Sequence, residues 1–243
     1  MDYKGELENF VDDLRNTHGS NLVSIILYGS AATGDYHKNI SDYNLLVVLN
    51  SIAPEDLKQA YAATREWRKL GQPTPVYLTL LEIEQSTDIF PIEFHSMKKA
   101  YVVLFGDDVL NNLQLSDENL RHQIEYELRS KLMRLRKNYM HSYGSARQVA
   151  ELMIKSISSF VTLFNAALIL RKCNTPVKKR EIVEMASKEF NINKEPFLKI
   201  LRLREEGLSD HNDETEIDRL FTEYMLEIER FIQDIDTFLS NPK

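Results

Sequence analysis

Apolar and polar positions alternate with two different periods along this chain, and the change of period divides it. Leu7, Phe10, Val11 and Leu14 recur at helical spacing, so residues 5 to 17 predict a short helix. Residues 23 to 28 are apolar and rich in β-branched side chains, which predicts a buried strand, and Asp42 to Leu49 predicts a second, closed by Asn50 and Ser51. Pro54 sits at a helix start, with Ser51 or Ala53 near the cap, and that helix is expected to run to about Leu70, before Gly71 and Pro73. Val76 to Leu81 reads as a third strand and Ile92 to Met97 as a fourth. Short strands alternating with helices imply a small mixed-sheet domain over residues 1–115.

Beyond Gly106, Asp107 and Asp108 the period changes. Glu118 to Leu239 shows long helical periodicity, interrupted near Tyr143 and Gly144, at Asn174 to Pro176, at Asn191 to Asn193 and between Gly207 and Asn212. Four or five helices in an all-α bundle over residues 116–243 are expected, with the Leu, Ile, Phe and Met stripes as its core. The fold class is therefore α+β, a mixed sheet domain followed by a helical domain.

Composition narrows the picture without naming a function. An apolar fraction of 43% and a charged fraction of 28% are those of an ordinary soluble globular protein. The apolar runs Ile25 to Leu27 and Leu45 to Leu49 are strand-sized and too short to span a bilayer. The acidic opening MDYKGELENF has no basic segment ahead of an apolar one, and a cytoplasmic protein without a membrane partner is expected. One cysteine, Cys173, excludes an internal disulfide and a cysteine-built zinc cage. A net charge of −7 argues against nucleic acid as the main partner. Oligomeric state leaves no readable signal.

The candidate chemistry lies in LYGSAATGDYHKNISDYNLLVVL, residues 27 to 49. A glycine after a strand lets the chain turn sharply and brings backbone close to a phosphate. Ser30, at the start of a short helix, offers its hydroxyl and N–H groups to phosphate oxygens. On a strand, Asp42 and Asn44 would project from one face into one site. Gly29-Ser30 between two strand-like runs, with Ser-Asp-x-Asn on the second, is a far rarer coincidence than Gly-Ser alone.

This arrangement resembles the nucleotidyltransferase fold of the DNA polymerase beta superfamily, whose motif is Gly-Ser followed by Asp-x-Asp or Asp-x-Glu and a third acid. A sheet domain followed by a helical one is similar to the bacterial antibiotic-adenylylating enzymes, as are Phe90 to Phe94 and Leu104 to Asp107. The resemblance implies transfer of a nucleoside monophosphate, AMP for choice, from an NTP such as ATP to a hydroxyl of an unknown acceptor, with Mg²⁺. Such chemistry uses ions roughly 3.5–4 Å apart on both the entering and the leaving oxygens. It implies Asp42, Asn44 and Glu93 as metal ligands, Asp42 and Glu93 as the catalytic pair, and Gly29, Ser30 and Asn44 as nucleotide contacts. Glu93 between Ile92 and Phe94 is the preferred third acid, with an acid facing solvent from an edge strand as the lesser reading, and Asp107 and Asp108 compete with it, though they suit a turn or cap.

The chain departs from the motif at Asn44, where a second carboxylate is expected. A carboxamide oxygen still ligates Mg²⁺ but brings no charge. A unit charge at 4 Å is worth up to ~4 kcal/mol at an effective dielectric near 20, so metal affinity falls and catalysis suffers before nucleotide binding does. One alternative is therefore a nucleotide-binding regulatory protein with a degenerate metal site. A second comes from Arg136 and His141, whose Arg-x4-His spacing resembles HEPN-domain ribonucleases, with histidine as acid or base and arginine on phosphate.

Overall fold

The computed structural model describes residues 4–33, 42–207 and 213–240. It divides into two units, Met1–Ser116 and Asp117–Lys243. The first is built on a four-stranded sheet of order β3-β2-β1-β4, formed by β1 (Leu22–Tyr28), β2 (Asn44–Leu49), β3 (Val76–Thr79) and β4 (Tyr101–Gly106). β1 runs antiparallel to both β2 and β4, and β2 is parallel to β3. The central strands read LVSIILY and NLLVVL because both of their faces are covered. Ile25, Leu27, Leu45, Val47 and Leu49 pack on α1 (Lys4–His18) and α3 (Tyr61–Lys69). Ile26, Leu46 and Val48 pack on the opposite side with Ile83 of α4 (Leu80–Gln85) and Phe94 and Met97 of α5 (Pro91–Lys99).

Two close approaches lock β4 onto β1. The buried Ser24 hydroxyl donates to the carbonyls of Phe105 (3.1 Å) and Asp107 (2.7 Å), so its polar atom is satisfied in the core. Gly106 has φ +76°, and a Cβ there would lie 1.9 Å from the Val23 carbonyl oxygen, so no other residue fits.

Three elements differ from the expectation. The run Ile92–Met97 is helix α5, not a strand: Pro91 occupies the first helical turn, and Pro91, Phe94 and Met97, three residues apart, form the buried side. The fourth strand is instead Tyr101–Gly106. The helix expected over 54–70 is two, α2 (Pro54–Gln59) and α3, parted at Ala60. The third strand stops at Thr79, whose side chain accepts the Glu82 N–H at 3.1 Å while the Glu82 carboxylate accepts the Thr79 N–H at 2.7 Å. That reciprocal cap starts α4 in place of further strand.

The second unit holds α6 (Asp117–Ser142), α7 (Ala146–Leu170), α8 (Lys179–Glu189), α9 (Glu195–Glu206) and α10 (Glu214–Ser240), broken where the sequence placed the interruptions. Helix α7 is apolar and long enough by length and composition to cross a membrane, a property its short individual runs concealed. Its Met153, Ile157, Phe160 and Phe164 are buried, which makes it the core helix of the bundle. Phe164 meets Phe197 and Phe231 edge-on, with centroids 5.0 and 4.6 Å away, a geometry favoured by aromatic quadrupoles.

Candidate functional site

β1 ends in a turn that requires glycine. Gly29 has φ +82°, in the left-handed region. Its N–H donates to the Ala100 carbonyl at 2.9 Å, and its own carbonyl accepts from Ala32 N–H at 3.0 Å. Ser30 thereby opens a one-turn 3₁₀ segment, Ser30–Thr33. A Cβ on residue 29 would lie 3.5 Å from the Asn44 amide nitrogen. The glycine turn and the asparagine are therefore neighbours, as the motif implies. Residues 34–41, which follow, lie outside the described residues.

Asn44 is the first residue of β2 and pairs with Tyr28 of β1, which pairs in turn with Tyr101 of β4. By alternation it shares the sheet face of Leu46 and Val48, which α5 covers. Asp42 stands two residues ahead of the strand and is exposed, so the strand begins at Asn44 rather than at Asp42. The cause is Tyr43. Its N–H donates to the Gln72 side chain at 2.9 Å, and its ring packs against Trp67 in the opposite core. Tyr43 is pinned inward, with exposed Asp42 before it and half-buried Asn44 after it.

Glu93 lies in the first turn of α5 and is exposed, beside buried Ile92 and Phe94. It is thus carried by a helix over the Asn44 face of the sheet, not by a strand within the sheet. A carboxylate in a first turn also complements the helix dipole. Asp108, its competitor, is occupied by the turn after β4: it accepts the N–H groups of Leu110 (3.3 Å) and Asn111 (3.1 Å) and the Tyr101 hydroxyl (3.0 Å).

Two titratable groups escaped the sequence reading. Burial raises the pKa of Tyr28, which faces Asn44 across the β1–β2 ladder. Burial also pulls Lys99 down to about 8, one residue before the carbonyl that holds Gly29. Perturbed groups gather at working sites. Only strand register, which a single sequence leaves open, could have singled out Tyr28.

Among the described residues no three His, Cys, Asp or Glu side chains are grouped to hold a metal ion. One carboxylate, Asp42, and one carboxamide, Asn44, supply too few donors for an all-protein cage. They suit a Mg²⁺ ion that arrives on phosphates, because Mg²⁺ is commonly held by one or two carboxylates with substrate oxygens and water completing the shell.

In the second unit, Arg136 donates to Glu229 at 2.7 Å, and His141 Nδ1 lies 2.8 Å from the Lys137 carbonyl of its own helix. The arginine is held by an acid and the histidine serves the helix end. Other members of the basic run are likewise paired, Arg129 with Asp236, Lys131 with Glu127 and Arg147 with Glu151.

A family model described as a nucleotidyltransferase domain matches residues 7–106. No curated protein matches the chain by sequence. Among solved structures the fold is similar to spectinomycin adenyltransferase AAD(9) from Enterococcus faecialis, determined with ATP and spectinomycin. The TM-score is 0.54 at 12% identity, over 93% of this chain and 98% of that one. Residues 7–106 therefore match a nucleotidyltransferase domain, and the fold of the chain is similar to that of a solved adenyltransferase.

Proposed function

We propose that this nucleotidyltransferase-fold protein transfers AMP from ATP to a hydroxyl of an acceptor, at a site formed by Gly29, Ser30, Asp42, Asn44 and Glu93. The observation that carries the proposal is the juxtaposition of the obligatory left-handed Gly29 with the Asn44 amide, 3.5 Å from the position of its missing Cβ. A phosphate chain can approach backbone there because residue 29 carries no side chain, and the 3₁₀ turn that opens at Ser30 directly after it supports such a contact. ATP as donor is favoured by the likeness to an adenyltransferase solved with ATP.

The acceptor oxygen attacks the α-phosphorus, the bond to the bridging oxygen breaks, and pyrophosphate leaves with that electron pair. Glu93 takes the hydroxyl proton, acting as general base from the rim of α5. Asp42 and the Asn44 carboxamide oxygen would hold a Mg²⁺ ion brought in by the nucleotide, which would supply charge neutralisation at the phosphates. With one carboxylate in this pair, the metal's residence depends on the triphosphate.

Asn44 equally favours a second reading, in which the protein binds ATP and does not turn it over. Calorimetry with each NTP, with and without Mg²⁺, combined with pyrophosphate release, separates the two. The transferase reading expects Mg²⁺-dependent ATP binding and slow turnover, both raised severalfold or more in Asn44→Asp as the second charge is restored. Binding without turnover in either form selects the regulatory reading. Failure of the wild type to bind any NTP refutes both.

A further inference from the structure

Helix α6 carries an exposed apolar stripe. Its Leu120, Ile124, Leu128, Leu132 and Leu135 are buried in the bundle. On another face Tyr126, Met133 and Met140 are spaced seven residues apart and are 71%, 64% and 80% exposed. Seven residues are close to two helical turns, so the three line one edge of the helix, over about 21 Å at 1.5 Å per residue. Exposed large apolar residues scattered singly are ordinary, whereas a heptad-spaced set on one long helix has the spacing on which a second helix can pack. Methionine suits such a surface, being apolar and conformationally adaptable.

The surrounding charges favour a particular occupant. Arg129 and Arg136, which flank the stripe, are held by Asp236 (2.6 Å) and Glu229 (2.7 Å) of α10, so their charge is compensated where the seam would close. Along α6 the remaining charges are unevenly divided. The acids Asp117, Glu118, Glu125 and Glu127 all precede residue 128, with Arg121 among them, and the bases Lys131, Arg134 and Lys137 follow it, Glu127 and Lys131 being paired at 3.0 Å. A second α6 laid antiparallel brings the acidic half of each helix beside the basic half of the other, whereas a parallel one sets like against like.

We propose that the exposed stripe of α6 is a self-association surface, on which α6 of a second copy packs antiparallel about a twofold axis at Met133. Met133 then meets Met133 of the partner, and Tyr126 meets the partner's Met140. A single helix pair lies at the small end of specific interfaces, so the dimer is expected to be weak and to dissociate on dilution.

The test uses the full chain. Sedimentation velocity from low to several hundred micromolar protein should show a mass rising from 28.3 kDa towards twice that value, with the rise weakened by added salt. Met133→Glu, which sets two carboxylates against each other on the axis, should abolish the rise. Its unfolding midpoint should stay near that of the wild type, because residue 133 is exposed, and Met140→Lys serves as a second disrupting variant. In a Cys173→Ser background, Met133→Cys should oxidise to a disulfide-linked dimer and Tyr126→Cys alone should not, while a mixture of Tyr126→Cys and Met140→Cys should cross-link. A wild type that stays monomeric throughout overturns the proposal. So does association indifferent to both substitutions, or a Tyr126→Cys homodimer, which requires the parallel arrangement.

Discussion

The two faces of the sheet are made of the same strands and used differently. On the α1–α3 face, Phe10 stacks on Trp67 at 4.6 Å, and buried Leu14, Ile25, Tyr43 and Val47 close around them. On the α4–α5 face the fully buried set is smaller, and Tyr28 and Tyr101 remain only partly covered. That second face is where Asn44 lies and where α5 carries Glu93. β2 serves both: Tyr43 anchors it in the thick core while Asn44 opens towards the thin one. Stability and candidate chemistry are thus separated by a strand's thickness, and a substitution on one face should leave the other's property intact.

The harshest test of that separation is Trp67→Ala. Trp67 is 2% exposed and donates its indole N–H to the Pro73 carbonyl at 3.1 Å. Truncation removes that bond and leaves a large cavity, at an expected cost of about 3–5 kcal/mol. Denaturant unfolding should record the loss, while ATP affinity of the protein that remains folded stays near the wild-type value. Asp42→Ala is the converse. Its side chain is exposed, so unfolding should be unmoved, whereas pyrophosphate release should fall about 100-fold or more, or ~2.7 kcal/mol of barrier. A variant that loses turnover only in proportion to its unfolding would show that Asp42 acts through the fold and holds no phosphate-bound ion.

Gly29→Ala should fall between the two, because the turn belongs to both descriptions. The left-handed backbone costs an L-residue roughly 1–2 kcal/mol, and the new methyl would sit 3.5 Å from the Asn44 amide, an ordinary contact. Stability should drop by that amount and nucleotide affinity should fall with it as the turn relaxes. Unchanged stability would mean that the turn adopts another conformation at no cost.

The sequence foretold these elements unevenly, for physical reasons. β1 and β2 are legible because strands covered on both faces read as unbroken apolar runs, and Gly29 because few other residues could end β1 that way. α5 misleads. Ile92, Glu93 and Phe94 alternate as a strand would, and nine residues are too few for a helical period to outvote them, although Pro91 marks a helix start. β4 is hard to see because it is an edge strand whose pattern is not clean, with Val102 exposed amid apolar neighbours. Asp42 and Asn44 could be named from their spacing, but Tyr28 opposite Asn44 depends on register and on burial by a helix distant in sequence. In the second unit the breaks between helices were plain, and the stripe on α6 was not. An apolar residue announces that it will be covered, not whether its own chain does the covering.

The smallest expected effect lies wholly on the thick face and concerns acid. His18, at the end of α1, is 6% exposed; its Nε2 lies 3.4 Å from the Tyr77 hydroxyl, and its Nδ1 has no hydrogen-bond partner among the described residues. Burial lowers its pKa below the ordinary 6.5, a shift only partly opposed by the Asp56 carboxylate. The unfolded chain therefore accepts a proton near pH 6.5 that the folded chain refuses. Stability from this residue is fully present above that pH and declines as pH falls through 6.5 towards the lower folded value. Unfolding midpoints measured between pH 7.5 and 5.5 should fall in the wild type and fall less in His18→Gln, which does not titrate. Equal slopes for the two proteins would mean that the buried imidazole is protonated as readily in the folded state as in the unfolded one. ATP affinity of the folded protein should change alike in both over this range, because His18 and Tyr77 belong to the face opposite Asn44.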